Sequence, residues 1–281
     1  MTPQRVLVVG TGLLGTSVAL ALRSAGAEVW LTDRDLRAVR LAVDRGAGTQ
    51  GPPPQPVDLC VLAVPPGAVA EVLYAAQGAG YAAAYTDVAS VKAVPLREAA
   101  ERGCDLSAFV GGHPMAGAER SGPEAARADL FTGRPWVLTP TPATSPAALG
   151  AARALALACG AEPVALSADE HDRAVAVVSH VPHLLAALAA ARLADAPAAL
   201  VALAGQGVRD VTRVAASDPD LWAGILAANA GLVADVLDAV AADLAGVAAA
   251  LRPPLDPDAV RDLLVRGRTG RARIPESSGD R

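Results

Sequence analysis

The turn joining the first strand to the first helix constrains this chain most. "RVLVVG" is a short β-branched run ending in glycine, and "LLGTSVALALRSAG" has helical apolar spacing up to Gly26. Between them stands Gly10-Thr-Gly12-Leu-Leu-Gly15. Gly10 permits a tight turn, Gly12 lets backbone approach a pyrophosphate, and Gly15 lets the helix pack close to the strand. The free N–H groups of the helix start then face phosphates. Asp33 closes the second strand, "EVWLTD", 21 residues after Gly12, where a carboxylate suits ribose hydroxyls. It would repel a 2′-phosphate, which favours NAD over NADP. Arg34 next door leaves NADP as the less favoured choice. Gly10, Gly12, Leu13, Leu14, Gly15, Asp33, Arg34 and Val64 form the expected cofactor contacts.

The pattern continues with helix "DLRAVRLAVDRG", strand "DLCVLAVP", a helix over about 68–76, strand "AAAYTDV", helix "VPLREAAERG" and strand "AFVGG". "GPEAARADLF" reads as a short helix and "RPWVLTP" and "EPVAL" as the last strands. Strands alternating with helices mean βαβ units and an α/β fold, a Rossmann-type doubly wound parallel sheet. From Ser167 onward the chain reads as all-helical. Ser167 to Glu170 is a capping box opening a helix that Pro182 should bend. Further helices are expected over 196–205, near 208–216, and from Pro219 to about Leu251. The expected division is 1–167 for the nucleotide-binding domain and 168–255 for a helical substrate and dimerisation domain. Residues 256–281 read as a short helix and a disordered basic tail, with Arg266, Arg268, Arg271 and Arg273 solvated. The apolar Ala/Leu/Val block should pack on a second copy, giving a homodimer.

Net charge is −5, which gives no general reason to bind nucleic acid. The first strand and helix resemble a signal peptide, but the regular glycines argue against one. Elsewhere charge-free apolar runs fall short of the ~20 residues a spanning helix needs, so no membrane partner is expected. Three scattered cysteines, Cys60, Cys104 and Cys159, argue for a reducing, cytoplasmic setting.

The chain has four histidines, and one sits in "GGHPMAGAERSG". His113 follows a strand, so it should lie at the carboxyl edge of the sheet, where ligands bind. A neutral imidazole there can take a proton from a hydroxyl; the alternative is a histidine satisfying loop backbone. Gly111-Gly112 should bring backbone close to the cofactor, and Pro114 should stiffen the mount. Ser90, in "DVASVK", could orient the imidazole or cap the helix after Lys92. His180 and His183 share a helix face; His171 and Asp172 lie two turns earlier, but a zinc site is disfavoured and no metal is expected. One of that pair suits substrate contact and the other core packing. Arg209 and Arg213, four apart, suit a polyanionic substrate, unless they are solvated surface arginines.

"GTGLLGTS", "DVASVK", "GGHPMAGAERSG", "HD…SHVPH" and "RDVTRVAASDPDLW" together resemble the prephenate dehydrogenase family of tyrosine biosynthesis. The resemblance, in order over about residues 5–250, implies NAD-dependent oxidative decarboxylation of prephenate to 4-hydroxyphenylpyruvate in a dimer with interlocked helical domains. It implies that His113 accepts the hydroxyl proton and that Ser90 orients it. Arg213 would bind a substrate carboxylate, with His180 and Trp222 in the same pocket and Glu119 in the substrate loop. Arogenate, which carries an ammonium where prephenate has a keto group, is the alternative substrate. Two rivals stand further off. A 3-hydroxyacid or imine-type dehydrogenase would rely on a lysine in the helical half, where this chain has none. A non-catalytic NAD-binding module would not need His113, Ser90 and Arg213 together.

Overall fold

The computed structural model describes residues 3–117 and 121–274. By compactness the chain divides into Met1–Asn229 and Ala230–Arg281. The first unit begins with β1 (Arg5–Val9), α1 (Leu13–Ser24), β2 (Glu28–Thr32), α2 (Leu36–Asp44), β3 (Thr49–Gln50) and β4 (Leu59–Leu62). Then come α3 (Val69–Gly78), β5 (Tyr85–Asp87), α4 (Ala93–Glu101), β6 (Phe109–Pro114), β7 (Pro135–Thr139), α5 (Pro146–Ala158) and β8 (Glu162–Ala165). The eight strands run in the order β3-β2-β1-β4-β5-β6-β7-β8. All described pairs are parallel except β6 with β7. The expected doubly wound parallel sheet is present, with β7 turned against β6: among the described residues only a one-turn 3-10 helix, Pro123–Ala125, lies between those two strands.

Both faces of the sheet are covered, which is why β1 and β4 are apolar without alternation. Val6 and Val8 join a core with α1, α2 and α5, while Leu7 belongs to the opposite core with α3 and α4. Strand order reverses where β1 meets both β2 and β4. That switch point opens a crevice beyond the carboxyl ends of the strands.

The glycine turn sits at this crevice. Gly10 adopts φ +100°, and a Cβ there would lie 2.2 Å from the Ala63 carbonyl oxygen. A Cβ on Gly15 would lie 1.9 Å from the Gly10 oxygen. At Gly12 a Cβ would meet nothing within 4 Å. Two of the glycines are therefore required by the protein's own packing, and Gly12 faces open space.

The helices of this unit continue as α6 (Ala168–Val175), a π-helical turn at Ala176–His180, and α7 (Val181–Ala191). The Ser167–Glu170 capping box is present. Pro182 lacks an N–H and crowds the preceding turn. The chain answers with the widened π turn, in which the Val181 N–H reaches back to the Ala176 carbonyl. The run Ala168–Ala191 is long and apolar enough to cross a membrane by length and composition, yet His171, Asp172, His180 and His183 on it are buried within the unit. Next come α8 (Ala198–Val201), α9 (Gln206–Thr212), a 3-10 turn at Arg213–Ala216 and α10 (Pro219–Ala228). The single helix expected from Pro219 to Leu251 is broken at Asn229. Its buried amide donates to the Asp172 carbonyl at 2.8 Å and contacts His180 Nδ1 at 3.1 Å. Because 168–229 packs within the sheet unit, compactness changes after Asn229 rather than at 167/168.

The second unit contains α11 (Ala230–Ala250) and α12 (Pro257–Ala272), linked by an Arg266–Asp243 ion pair at 2.8 Å. The expected disordered tail is corrected over α12, which holds Arg266, Arg268 and Arg271 and has Arg273 at its end. Asp256 caps it by accepting from the Ala259 N–H, and Pro257 takes the first position. The last residues, 275–281, lie outside the described residues.

Gly15→Ala should lower Tm by several degrees, since a forced shift of this kind costs about 1–3 kcal/mol. Gly12→Ala should leave Tm within about a degree. Calorimetry of both variants checks this; equal losses would contradict the packing assignment.

Candidate active site

A cavity of about 570 Å³ fills the crevice. Gly12, Leu13, Leu14 and Gly15 form one side, with Val64 beyond β4. Ser90 and His113 come from the ends of β5 and β6, and Val178, Ser179 and His180 from the π turn. Ser217, Asp218, Leu221 and Trp222 at the start of α10 complete the wall. Asp218 caps α10, accepting from the N–H groups of Asp220 and Leu221.

Asp33 lies behind the glycine turn and braces it. Its Oδ2 accepts from the Thr11 N–H at 2.6 Å and the Thr11 hydroxyl at 3.1 Å, and its Oδ1 from the Asp35 N–H. Arg34 is exposed beside it. The cradle fits a dinucleotide: Gly10 and Gly15 are closed by protein atoms, while Gly12, at the N-cap of α1, leaves room for a pyrophosphate beside the helix amides.

The partner of His113 is His171, not Ser90. His113 Nδ1 lies 2.8 Å from His171 Nε2, with the rings edge to face. His171 Nδ1 lies 2.7 Å from Asp172 Oδ1. The same carboxylate accepts the N–H groups of Lys92 at 2.8 Å and Ala93 at 2.9 Å, the first amides of α4. Asp172 therefore caps α4, and Ser90, expected as cap or orienting group, instead lines the cavity. Burial alone would raise the Asp172 carboxyl, but hydrogen bonds from His171 and the two amides outweigh it and hold it below the usual range. An ionised carboxylate only accepts, so His171 Nδ1 carries a proton. The contact between His113 Nδ1 and His171 Nε2 fits a proton on either nitrogen; a singly protonated His171 accepts there from His113 Nδ1–H, which leaves the His113 Nε2 lone pair free. Burial first, then electrostatic opposition from His171, Lys92 and His180, holds His113 well below the ordinary histidine range. Burial therefore favours the neutral imidazole.

The role expected of Gly111-Gly112 is corrected. A Cβ on Gly111 would lie 2.4 Å from Thr139 Oγ1, and one on Gly112 2.6 Å from the Asp87 carbonyl oxygen. These glycines let β6 approach its neighbouring strands rather than a cofactor.

The two helical histidines part company. His180 lines the cavity and contacts the Asn229 amide through Nδ1, which leaves Nε2 as its donor. His183 is stacked on Trp222 at 3.5 Å, and Trp222 in turn faces the cavity. Arg209 and Arg213 are not on the wall. Arg209 is exposed on α9, and Arg213 is exposed at the head of the 3-10 turn whose C-cap, Ser217, begins the wall. Glu119 lies outside the described residues. Sequence reasoning had weighed His171 and Asp172 only as metal neighbours. The signal was available: a His-Asp pair at the first turn of a capped helix directly after the last strand.

The family model described as "Prephenate dehydrogenase, nucleotide-binding domain" matches residues 18–165, and "Prephenate dehydrogenase, dimerization domain" matches 167–265. A probable prephenate dehydrogenase of Streptomyces niveus is 43% identical over 97% of this chain and 78% of its own length. The crystal structure of prephenate dehydrogenase from A. aeolicus, in complex with hydroxyphenyl propionate and NAD+, superposes with a TM-score of 0.86 at 27% identity, covering 98% of this chain and 99% of that one. The arogenate dehydrogenase of Synechocystis superposes with a TM-score of 0.77 at 28% identity, covering 96% of this chain and all of that one. With both halves of the chain matched in order and the cavity lying between the glycine turn and His113, this chain belongs to the prephenate dehydrogenase family of oxidoreductases.

Proposed function

We propose that the chain carries out NAD-dependent oxidative decarboxylation of prephenate to 4-hydroxyphenylpyruvate. The observation that carries this reading is the Asp172–His171–His113 chain ending in the cavity opposite the glycine turn. When bound in that cradle, NAD supplies the acceptor for the hydride of the substrate's hydroxyl-bearing ring carbon. His113 Nε2 takes the hydroxyl proton, and its Nδ1–H stays on His171 Nε2, so the new positive charge is shared toward Asp172. Loss of CO2 then restores an aromatic ring, so the protein has mainly to orient the ring and its carboxylates. His180 Nε2–H and the edge of Trp222 orient the substrate. Arg213, with Arg209 behind it, anchors a carboxylate from the head of its 3-10 turn. Residues 1–167 serve the cofactor and 168–255 the substrate and self-association. Leu244, Leu251 and Leu264, exposed on the second unit, support a homodimer through that region. The three cysteines are free and buried, which supports a reducing, cytoplasmic setting. Arogenate is the second reading, favoured by the likeness to the Synechocystis enzyme.

Appearance of NADH on mixing the purified chain with NAD and either substrate is the test. Prephenate turnover is expected; turnover of arogenate alone would exchange the substrate, and silence with both would overturn the reading. His113→Asn should cut kcat more than about 100-fold, within the usual contribution of a general base, while the Kd for NAD stays within twofold. Parallel loss of NAD affinity would contradict the role. A base must be neutral to act, and its pKa is depressed, so activity should be lost only as pH falls below about 6.5, the ordinary histidine value. A kcat/KM acid limb above that pH would contradict it. Arg213→Ala should raise KM at least tenfold with kcat little changed, and an unchanged KM would remove Arg213 from the site.

A further inference from the structure

Lys92 is the one lysine of the chain, and it is 2% exposed. Its stem runs along Gly111: a Cβ on that glycine would lie 3.3 Å from Lys92 Cδ. Its ammonium reaches two partners, the Asp87 carboxylate and the Gly112 carbonyl oxygen, the latter at 2.6 Å. Asp87 is itself fully buried. Its Oδ2 also accepts from the Ala89 N–H at 3.1 Å, and its Oδ1 accepts the Gly112 N–H at 2.9 Å. One ion pair thus holds both the N–H and the C=O of Gly112, the residue before His113. Glycine has the greatest backbone freedom of any residue, and here the pair removes that freedom. At its other end, the Lys92 main-chain N–H binds the very carboxylate oxygen that holds His171.

We propose that Lys92 is a positioning residue for His113, gripping the Gly112 peptide through its ammonium while its backbone N–H fixes the Asp172 anchor of His171. This goes deeper into the reading of His113 as the proton acceptor and rests on it. A buried ion pair is seldom a net gain over apolar residues of the same shape, so stability is a weak reason for this one. Orientation is a stronger one, because its two charges hold the two peptide groups that flank the Gly112 Cα, next to the reacting imidazole. The ammonium also opposes a second positive charge on His113. Among the described residues, the other ionisable groups around His113 are His171 and Asp172 of α6, His180 of the π turn and Asp87 of β5; of these, His171 and His180 oppose its protonation in the same sense.

The test compares Lys92→Met with the charge-neutral double variant Lys92→Met/Asp87→Asn in the full chain. In the double variant kcat should fall at least about 30-fold, with KM and the Kd for NAD within threefold of the parent. In Lys92→Met the acid limb of kcat/KM should move to higher pH, since removing a neighbouring cation eases protonation of His113. The same rise should appear in the His113 titration followed by NMR of the labelled full chain, which needs no turnover. If the parent enzyme turns over neither substrate but the NMR titration moves, the functional reading fails and the placement of Lys92 beside His113 stands. A double variant with kcat within threefold of the parent, a His113 titration that does not move, or a double variant unable to fold would each overturn the positioning role.

Discussion

The carboxylate of Asp172 ties the site together. It takes the first two amides of α4, where the helix dipole favours an anion, and it takes the Nδ1 proton of His171. Its own carbonyl receives the amide of Asn229, the residue that ends α10. Hydrogen bonds to a charged group contribute about 1.5–3 kcal/mol each, so three of them define this carboxylate's place firmly. From that fixed point the imidazoles of His171 and His113 follow in line.

This arrangement explains how a helical segment far along the chain governs a residue on the sheet. His113 is carried by β6, its Nδ1 meets His171 of α6, and the Asp172 anchor of α6 binds the first amides of α4. Strand β6 and the helices α4 and α6 therefore converge at the cavity. The π turn serves the same end. Pro182 forbids a regular helix at that point, and the widened turn delivers Val178, Ser179 and His180 to the cavity wall.

Much of this was legible in the sequence, because the signals were local. The strand-turn-helix around Gly10 to Gly15, the Ser167 capping box and the position of His113 after a strand each depend on neighbours in the chain. What was missed depends on partners far away. Ser90 read as the orienting group because strand-end position places it near His113, whereas the actual partner, His171, is 58 residues from it. The Gly111-Gly112 pair read as a cofactor approach, yet its crowding comes from Asp87 and Thr139 on flanking strands. The break at Asn229 was invisible because an Ala-rich run continues through it, and only the buried hydrogen bonds to Asp172 and His180 end the helix there. The arginine-rich end read as disordered by composition, although "DPDAVRDLL" carries an N-cap, a proline at the first turn and an i, i+3 ion pair between Asp258 and Arg261.

Arg209 on α9 and Arg213 at the head of its 3-10 turn stand exposed outside the cavity wall. The account accordingly rests on the imidazole chain. Nitrogen-15 chemical shifts of the histidine rings, recorded on the full chain at neutral pH, measure that chain directly. The account predicts His113 as the neutral tautomer with its proton on Nδ1 and an unprotonated Nε2. A proton on Nε2, or a doubly protonated ring at pH 7, would contradict it.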